Sequence, residues 1–325
     1  MSSLRVGLIG LGAMGRNHAR VLAGLDGVEF VGICDPFVFN GEKYSHGRPI
    51  FKNLEELLTR KINYAVIAVP TQKHLETVRS LAAENIHILI EKPVSHDLNT
   101  SLEIKSLSKD ICVGIGHIER YNPAISEAKN KLEMLGEIFQ VITSRQGPYP
   151  VRINDVGVVY DLATHDIDAT SWITGRRYKS VYGHSRKHLN GSHEDLVSVA
   201  ASLDSDIVVN HSVNWLSPFK ERQIILTGEK GAFRANMLTG ELTFFRNGSN
   251  LNKWDEIAKL RGVSVGDVIQ FSYDKKEPLL LEHENFRDKL LGKKSNIISL
   301  EDGVNTVIVA DAILRSVKHS KVINL

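Results

Sequence analysis

Cysteine is scarce: the chain has two, Cys34 and Cys112, in 325 residues. Both lie in apolar, strand-like segments. They read as small core side chains of a reducing compartment and exclude a disulfide framework. Long hydrophobic runs are missing too. No segment nears the ~18 consecutive apolar residues of a membrane-crossing helix, so no membrane partner is expected. The apolar stretch near Met1 is short, interrupted by glycine and has no basic lead, which makes it a strand rather than a secretion signal. A cytoplasmic location is expected. Charge of one sign is also lacking: 40 Lys and Arg against 38 Asp and Glu leave a formal net charge of +2. A nucleic-acid partner calls for a basic field, and the pairs Lys275-Lys276 and Lys293-Lys294 read as solvated surface. Internal repeats and low-complexity tracts are absent.

What remains is a globular composition, 42% hydrophobic and 24% charged, on a length that suits two domains. The most informative stretch comes first. Leu4 to Ile9 is an apolar run that leads into Gly10-Leu11-Gly12-Ala13-Met14-Gly15, and a helix-like stretch follows from Arg16 to Leu25. Strand, glycine turn and helix in that order make a dinucleotide-binding unit. Gly10 permits the tight turn, Gly12 lets backbone approach a pyrophosphate, and Gly15 lets the helix pack closely on the strand. The helix N-terminus then offers free N–H groups to the phosphates. A second strand, Val28 to Cys34, ends in Asp35, where an acid hydrogen-bonds the ribose hydroxyls of NAD. Pro36 and Phe37 follow, not an arginine for a 2′-phosphate, so NAD is preferred over NADP.

Strand and helix patterns alternate over residues 1–118. Tyr64–Val69, His87–Ile90 and Ile111–Gly116 read as strands, and Thr71–Glu84 and Asp97–Ser108 as helices. Asn40–Pro49 reads as a polar loop, and Asn53 as the N-cap of a short helix with Glu56 completing a capping box. Past His117 the pattern changes. A helix over Pro123–Leu135 precedes strand-like runs at Glu137–Ser144, Ser180–Ser185, Leu196–Leu203, Ile207–Val213, Arg222–Thr227 and Glu241–Phe245. A helical segment, Val158–Ile173, interrupts them, and two more, Leu279–Leu291 and Leu300–Val317, follow. The expected fold is α/β. It has an N-terminal Rossmann domain with a doubly wound parallel sheet (1–118) and a C-terminal α+β domain (119–325) with a large, mostly antiparallel open sheet. An open sheet of that size buries its free face in a second copy, so a homodimer or homotetramer through the C-terminal sheet is expected. The two final helices are placed to pack across the boundary.

Several motifs recur together: Gly10 to Ala19, Pro70-Thr71 with His74, Glu91-Lys92-Pro93, and Asp161-x-x-x-His165. In that order they resemble the Gfo/Idh/MocA oxidoreductase family, over essentially the whole chain. The resemblance implies that Lys92 contacts the hydroxyl being oxidised. It implies that His165 is the general acid/base with Asp161 as its partner or a substrate contact, and that Pro70, Thr71, His74 and Glu91 join Gly10, Gly12, Met14, Gly15, Asp35 and Lys92 around the cofactor. The residues agree with these roles. Lys92 ends a strand, where ligand-facing groups of open α/β sheets gather, and a cation there stabilises a developing alkoxide. A carboxylate four residues before an imidazole orients it and raises its basicity. By spacing, Asp161, His165 and Asp168 share one helix face, Asp168 being either a site residue or surface charge. His18 reads as structural or cofactor-adjacent. No metal is expected, since the Asp/His stretch brings no second histidine and no cysteine ligand.

The finer pattern points to a substrate. Gly116 to Pro123, Ser144 to Gly157, Asp161 to Asp168 and Asn214 to Pro218 with Lys220 together look like the subgroup that oxidises the C3 hydroxyl of UDP-N-acetylglucosamine. Arg145 and Arg152 flank a Gly-Pro-Tyr-Pro loop and suit a diphosphate clamp, Tyr149 suits stacking on a uracil or sugar face, and Arg120 and Asn122 sit where a cleft is expected. Asp155-Val156-Gly157 departs from the two adjacent glycines many members have. The alternatives are a dehydrogenase of a free sugar or inositol-type polyol, or a regulator that binds NAD and sugar without catalysis.

Overall fold

The computed structural model describes residues 3–38, 44–150, 156–189, 192–248 and 265–325. The chain packs as two compact units. One comprises Met1–Ile118 and Glu277–Ile308, the other Glu119–Lys276 and Val309–Leu325. The division near residue 118 is therefore one of several crossings, since a segment that the linear pattern assigns to the second domain packs with the first.

In the first unit β1 (Leu4–Ile9), β2 (Val28–Cys34), β3 (Tyr44–Ser45), β4 (Arg48–Phe51), β5 (Tyr64–Ile67), β6 (His87–Glu91) and β7 (Val113–Gly116) form one sheet, in the order β3-β4-β2-β1-β5-β6-β7. Every pairing is parallel except the β3–β4 hairpin. These strands are runs of Val, Ile and Leu because parallel sheets are buried on both faces, and Tyr64–Ile67 is buried throughout. The helices are α1 (Ala13–Ala23), α2 (Leu54–Leu58), α3 (His74–Ala83) and α4 (Leu98–Leu107). Asn53 caps α2: its Oδ1 accepts from the Glu56 N–H at 3.0 Å while its Nδ2 donates to Glu56 Oε1 at 3.0 Å. Asp97 caps α4 by accepting from the Thr100 N–H at 2.9 Å. The returning helix Pro278–Leu290 puts Phe286 into this sheet's core. The expected polar loop over 40–49 is in part the β3–β4 hairpin, which adds β4 parallel to β2; residues 39–43 lie outside the described residues. Chain order reverses around β1, so the crevice where such sheets bind ligands lies beyond the carboxyl ends of β1 and β5. Gly10, Pro70 and Lys92 leave strands at that edge.

The second unit is built on a nine-stranded sheet: β8 (Ile138–Pro148), β9 (Tyr178–Arg186), β10 (Leu196–Leu203), β11 (Val208–Asn214), β12 (Leu216–Gly228), β13 (Gly231–Asn236), β14 (Glu241–Asn247), β15 (Val265–Gln270) and β16 (Ile323–Asn324). The order is β15-β14-β13-β12-β8-β11-β10-β9-β16, antiparallel throughout except for β8 beside β11. Strands β13, β15 and the two-residue β16 are absent from the sequence reading. The inward positions of β13 are Gly231, Phe233 and Ala235, two of them too small to mark an apolar alternation. The helix expected over 123–135 stops at α5 (Pro123–Asn130), and a 3-10 turn, Leu132–Leu135, leads into Gly136 at φ +69°. The segment after Gly157 opens as a π turn over Val159–Ala163 and becomes α-helical only as α6 (Thr164–Thr174).

Candidate active site

The glycine turn is built as its spacing predicts. Gly10 has φ +93°, and a Cβ there would stand 2.6 Å from the Ala68 carbonyl oxygen. A Cβ on Gly15 would overlap the Gly10 carbonyl. Around Gly12 nothing lies within 4 Å of where a Cβ would be, so the space it leaves open is on the ligand side. Gly12 is also the N-cap of α1, with no side-chain cap and no acid in the first turn; Met14 is half-buried in that turn. Uncapped N–H groups facing open space suit a pyrophosphate. These residues fit the dinucleotide.

Asp35 is buried and busy. Its Oδ2 accepts from the Leu11 N–H at 2.7 Å, and Oδ1 accepts from Phe37 N–H at 2.9 Å and Val38 N–H at 3.0 Å. It fastens the glycine turn to the end of β2. A carboxylate offers about four lone-pair directions, so one is left for a ribose hydroxyl. Pro70 and Thr71 leave β5 into a 3-10 turn that starts α3. His74, expected to touch nucleotide, is instead buried with Nδ1 3.2 Å from the Val94 carbonyl and Nε2 3.2 Å from that of Val69. Burial lowers its pKa, and a neutral ring donates to one carbonyl only. It braces the exit of β5 against the segment after Pro93.

Lys92 is held at its backbone. Its N–H donates to Glu91 Oε2 at 3.1 Å, and Glu91 Oε1 lies 2.9 Å from His18 Nε2. Burial raises the Glu91 pKa, but the hydrogen bond from His18, with the ammonium and backbone N–H of Lys92, outweighs it, so the carboxyl sits below its ordinary value.

In the second unit Asp161 lies within the π turn and His165 one residue into α6, both half-buried. A π turn holds an extra residue, so the 3.6-residue rule that aligned 161, 165 and 168 does not carry across the junction; π turns recur at functional sites. Asp166 and Asp168 point inward, and each meets an arginine expected to bind substrate. Arg120 donates to Asp168 from Nε at 2.9 Å and from Nη2 at 2.6 Å. Arg145 is 1% exposed. It donates to Asp166 at 3.0 Å and to Glu119 at 2.8 Å. Its guanidinium is therefore the hub of a buried ion-pair cluster rather than an open diphosphate clamp. Burial pushes Asp166 up to about 6, against the pull of Arg145. Asn122 is likewise engaged: its Oδ1 caps α5 by accepting from the Ala124 N–H at 3.1 Å, and its Nδ2 donates to the Met237 carbonyl at 2.9 Å. Tyr149 meets Trp215 edge to face, centroids 5.6 Å apart. Arg152 and Asp155 lie outside the described residues.

Three acids escaped the sequence reading: Glu119, Asp166 and Glu194. The Glu194 side chain accepts from the Val159 N–H at 3.0 Å and its carbonyl from the Val158 N–H at 3.0 Å. It thus holds the start of the segment that carries Asp161 and His165. A Cβ on Gly157 would collide with that carboxylate, which explains why glycine stands there; the trace of Glu194 in the sequence is the glycine it requires.

Two family models match the chain. The one described as oxidoreductase family, NAD-binding Rossmann fold, covers residues 4–111, and the one described as oxidoreductase family, C-terminal alpha/beta domain, covers 129–325. Among relatives, the chain is 28% identical over 182 residues to a UDP-N-acetylglucosamine 3-dehydrogenase of Acidithiobacillus ferrooxidans, a match spanning 54% of this chain and 56% of that one. It is 24% identical to scyllo-inositol 2-dehydrogenase (NAD(+)) of Bacillus subtilis, over 99% of this chain and 96% of that one. The WlbA dehydrogenase of Bordetella pertussis, solved with NADH and UDP-GlcNAcA, shares the fold with a TM-score of 0.84 at 20% identity, over 99% of this chain and 98% of that one.

Proposed function

The chain belongs to the Gfo/Idh/MocA oxidoreductase family, and from that premise we propose that it is an NAD-dependent dehydrogenase. It oxidises a secondary hydroxyl of a sugar, C3 of UDP-N-acetylglucosamine or a related UDP-hexosamine. Gly10, Gly12, Met14 and Gly15 receive the pyrophosphate, Asp35 a ribose hydroxyl, and Pro70 and Thr71 border the crevice. The Asp35 carboxylate disfavours a 2′-phosphate, hence NAD over NADP. A bound nicotinamide supplies the hydride acceptor. The chain's own groups handle the proton and the charge. Lys92 presents an ammonium to the oxygen as alkoxide character develops, and His165, oriented by Asp161, takes the hydroxyl proton.

The observation that carries this reading is Lys92 at the carboxyl end of β6, on a backbone amide anchored by Glu91. The narrower substrate is supported by the Acidithiobacillus relative and the 144–157 and 214–220 segments. A second reading, an inositol-type polyol, is favoured by the full-length match to the Bacillus relative. Incubating protein, NAD and UDP-N-acetylglucosamine with an aminotransferase and glutamate, then seeking a 3-amino sugar by mass spectrometry, decides between them. No product, with turnover of scyllo-inositol, would hand the case to the polyol.

Among the described residues, the exposed face of the nine-stranded sheet supports assembly as a homodimer or homotetramer. Val268, Phe245, Ala232, Thr227, Gln140 and Val208 run across it in register. Val208 is 50% and Val268 54% exposed. Light scattering on V208E/V268E should report a monomer where the native protein is larger.

A further inference from the structure

A buried polar chain runs behind Lys92, entirely within the first unit. His18 stands on α1, the helix that opens at Gly12; Glu91 ends β6; Glu282 and His283 come from the returning helix Pro278–Leu290. His18, Glu282 and His283 are 1%, 0% and 0% exposed. His18 Nδ1 lies 2.9 Å from His283 Nε2, and His18 Nε2 lies 2.9 Å from Glu91 Oε1. Glu91 Oε2 in turn accepts from the Lys92 N–H.

The directions of these bonds follow from what is left over. His283 Nδ1 is buried with no partner. As a lone pair that costs less than a buried N–H with no acceptor, so His283 carries its proton on Nε2 and donates to His18. His18 then donates from Nε2 to Glu91. Glu282 has both oxygens buried and unpartnered, near Glu91. Two carboxylates sharing a buried site do not both ionise. Glu282 is the one pushed well above its ordinary range, by burial first and by Glu91 second. Glu91 is left as the single anion, with a donor on each oxygen.

We propose that the chain His283–His18–Glu91 positions Lys92, tying the lysine's backbone to the helix that receives the cofactor's phosphates. His18, Glu91 and His283 are positioning residues; none needs to touch the substrate. The proposal rests on Lys92 being catalytic, as inferred above. A displacement of about 1 Å at a reacting group is enough to cost ~100-fold in rate.

The test compares H18L, which removes both hydrogen bonds, with H18Q, whose amide keeps a donor near Nε2, and with H283F, which removes only the outer link. A thermal melt first establishes that each variant folds; should H18L fail, H283F carries the comparison. The expected result is a kcat lowered about 10- to 100-fold in H18L, largely rescued in H18Q and intermediate in H283F, with KM nearly unchanged. A KM rise with native kcat, or equal losses in H18Q and H18L, would overturn the proposal. A second readout needs no turnover: the rate of Lys92 acylation, followed by peptide mass spectrometry against exposed Lys109. A changed Lys92 rate in H18L with Lys109 constant supports positioning, and an unchanged rate overturns it. K92M separates the two levels, because full activity in K92M refutes the catalytic reading and leaves the acylation result standing. One equivalent of tightly bound transition metal in the native protein would also overturn the proposal. His18, Glu91 and Glu282 have donor atoms within 4.8 Å of one another, and a cation rather than hydrogen bonds would then hold Glu91.

Discussion

Replacing Arg145 by Met asks whether that guanidinium holds the protein together or holds a substrate. Met keeps most of the stem volume and drops the charge. Arg145, Glu119 and Asp166 are 1%, 5% and 0% exposed. Removing one partner of a buried pair costs about 3–5 kcal/mol because the remaining charge is left uncompensated. Here two carboxylates are left, with Arg222 3.8 Å from Glu119 as the remaining cation. They can escape by taking up protons, at about 1.4 kcal/mol per pH unit for each. The cost of R145M should therefore be greatest near pH 8 and smaller by 1 kcal/mol or more near pH 5.

The native protein supplies the sign. Burial raises Asp166 to about 6 from 3.8. Between those values the folded state binds more protons than the unfolded one. The contribution of Asp166 is thus fully present below about pH 4 and is lost as pH rises through 6, a change of about 3 kcal/mol. D166N should flatten that slope. The tryptophans among the described residues, Trp172 and Trp215, belong to the second unit, so urea unfolding followed by tryptophan fluorescence reads this unit. A loss under about 1 kcal/mol at pH 8, joined to a raised KM for a UDP-sugar, would refute the buried-hub argument and restore Arg145 as a clamp.

Other substitutions separate folding from ligand binding. G12A meets nothing within 4 Å and should leave the melting temperature unchanged while weakening NAD binding, measured by fluorescence titration, about 10-fold or more. G15A overlaps the Gly10 carbonyl and should lower stability as well as binding. G157A displaces the Glu194 carboxylate from Val159; turnover should fall at least 10-fold while NAD affinity stays native, and loss of both would count against a local effect. N53A removes the α2 cap and should cost about 1 kcal/mol in urea melts with activity intact.

Much of the fold is written in periodicity. Val28–Cys34 and Leu196–Leu203 are strands at the bounds their apolar patterns set, and Gly10, Gly12 and Gly15 each meet the steric demand their spacing implies. Where the reading of Arg145 fails, the cause is a boundary. The strand expected to stop at Ser144 runs on to Pro148, and the alternation Val141, Thr143, Arg145 then puts the arginine on the buried face. Asp166 and Asp168 were indistinguishable from surface acids because an inserted π residue shifts the helical phase ahead of them, and no composition signal marks such an insertion.

Helix Pro278–Leu290 poses a different problem. Its buried side carries Leu279, Glu282, His283 and Phe286, so two of the four inward residues are polar and the amphipathic stripe is half erased. Periodicity assigns polar residues to water by default. That default fails where an acid is matched to a base, as at Arg120–Asp168 and Arg145–Asp166, or to a histidine, as at His18–Glu91. In the second unit these pairs hold α6, the helix that carries His165, and in the first unit Glu91 also accepts from the Lys92 N–H. Under the roles proposed for Lys92 and His165, the polar residues least legible in the sequence are the buried partners close in the chain to the most legible ones. A side chain that must hold a fixed direction needs buried, hydrogen-bonded support, and burial is the property a single sequence reports least directly for a charged residue.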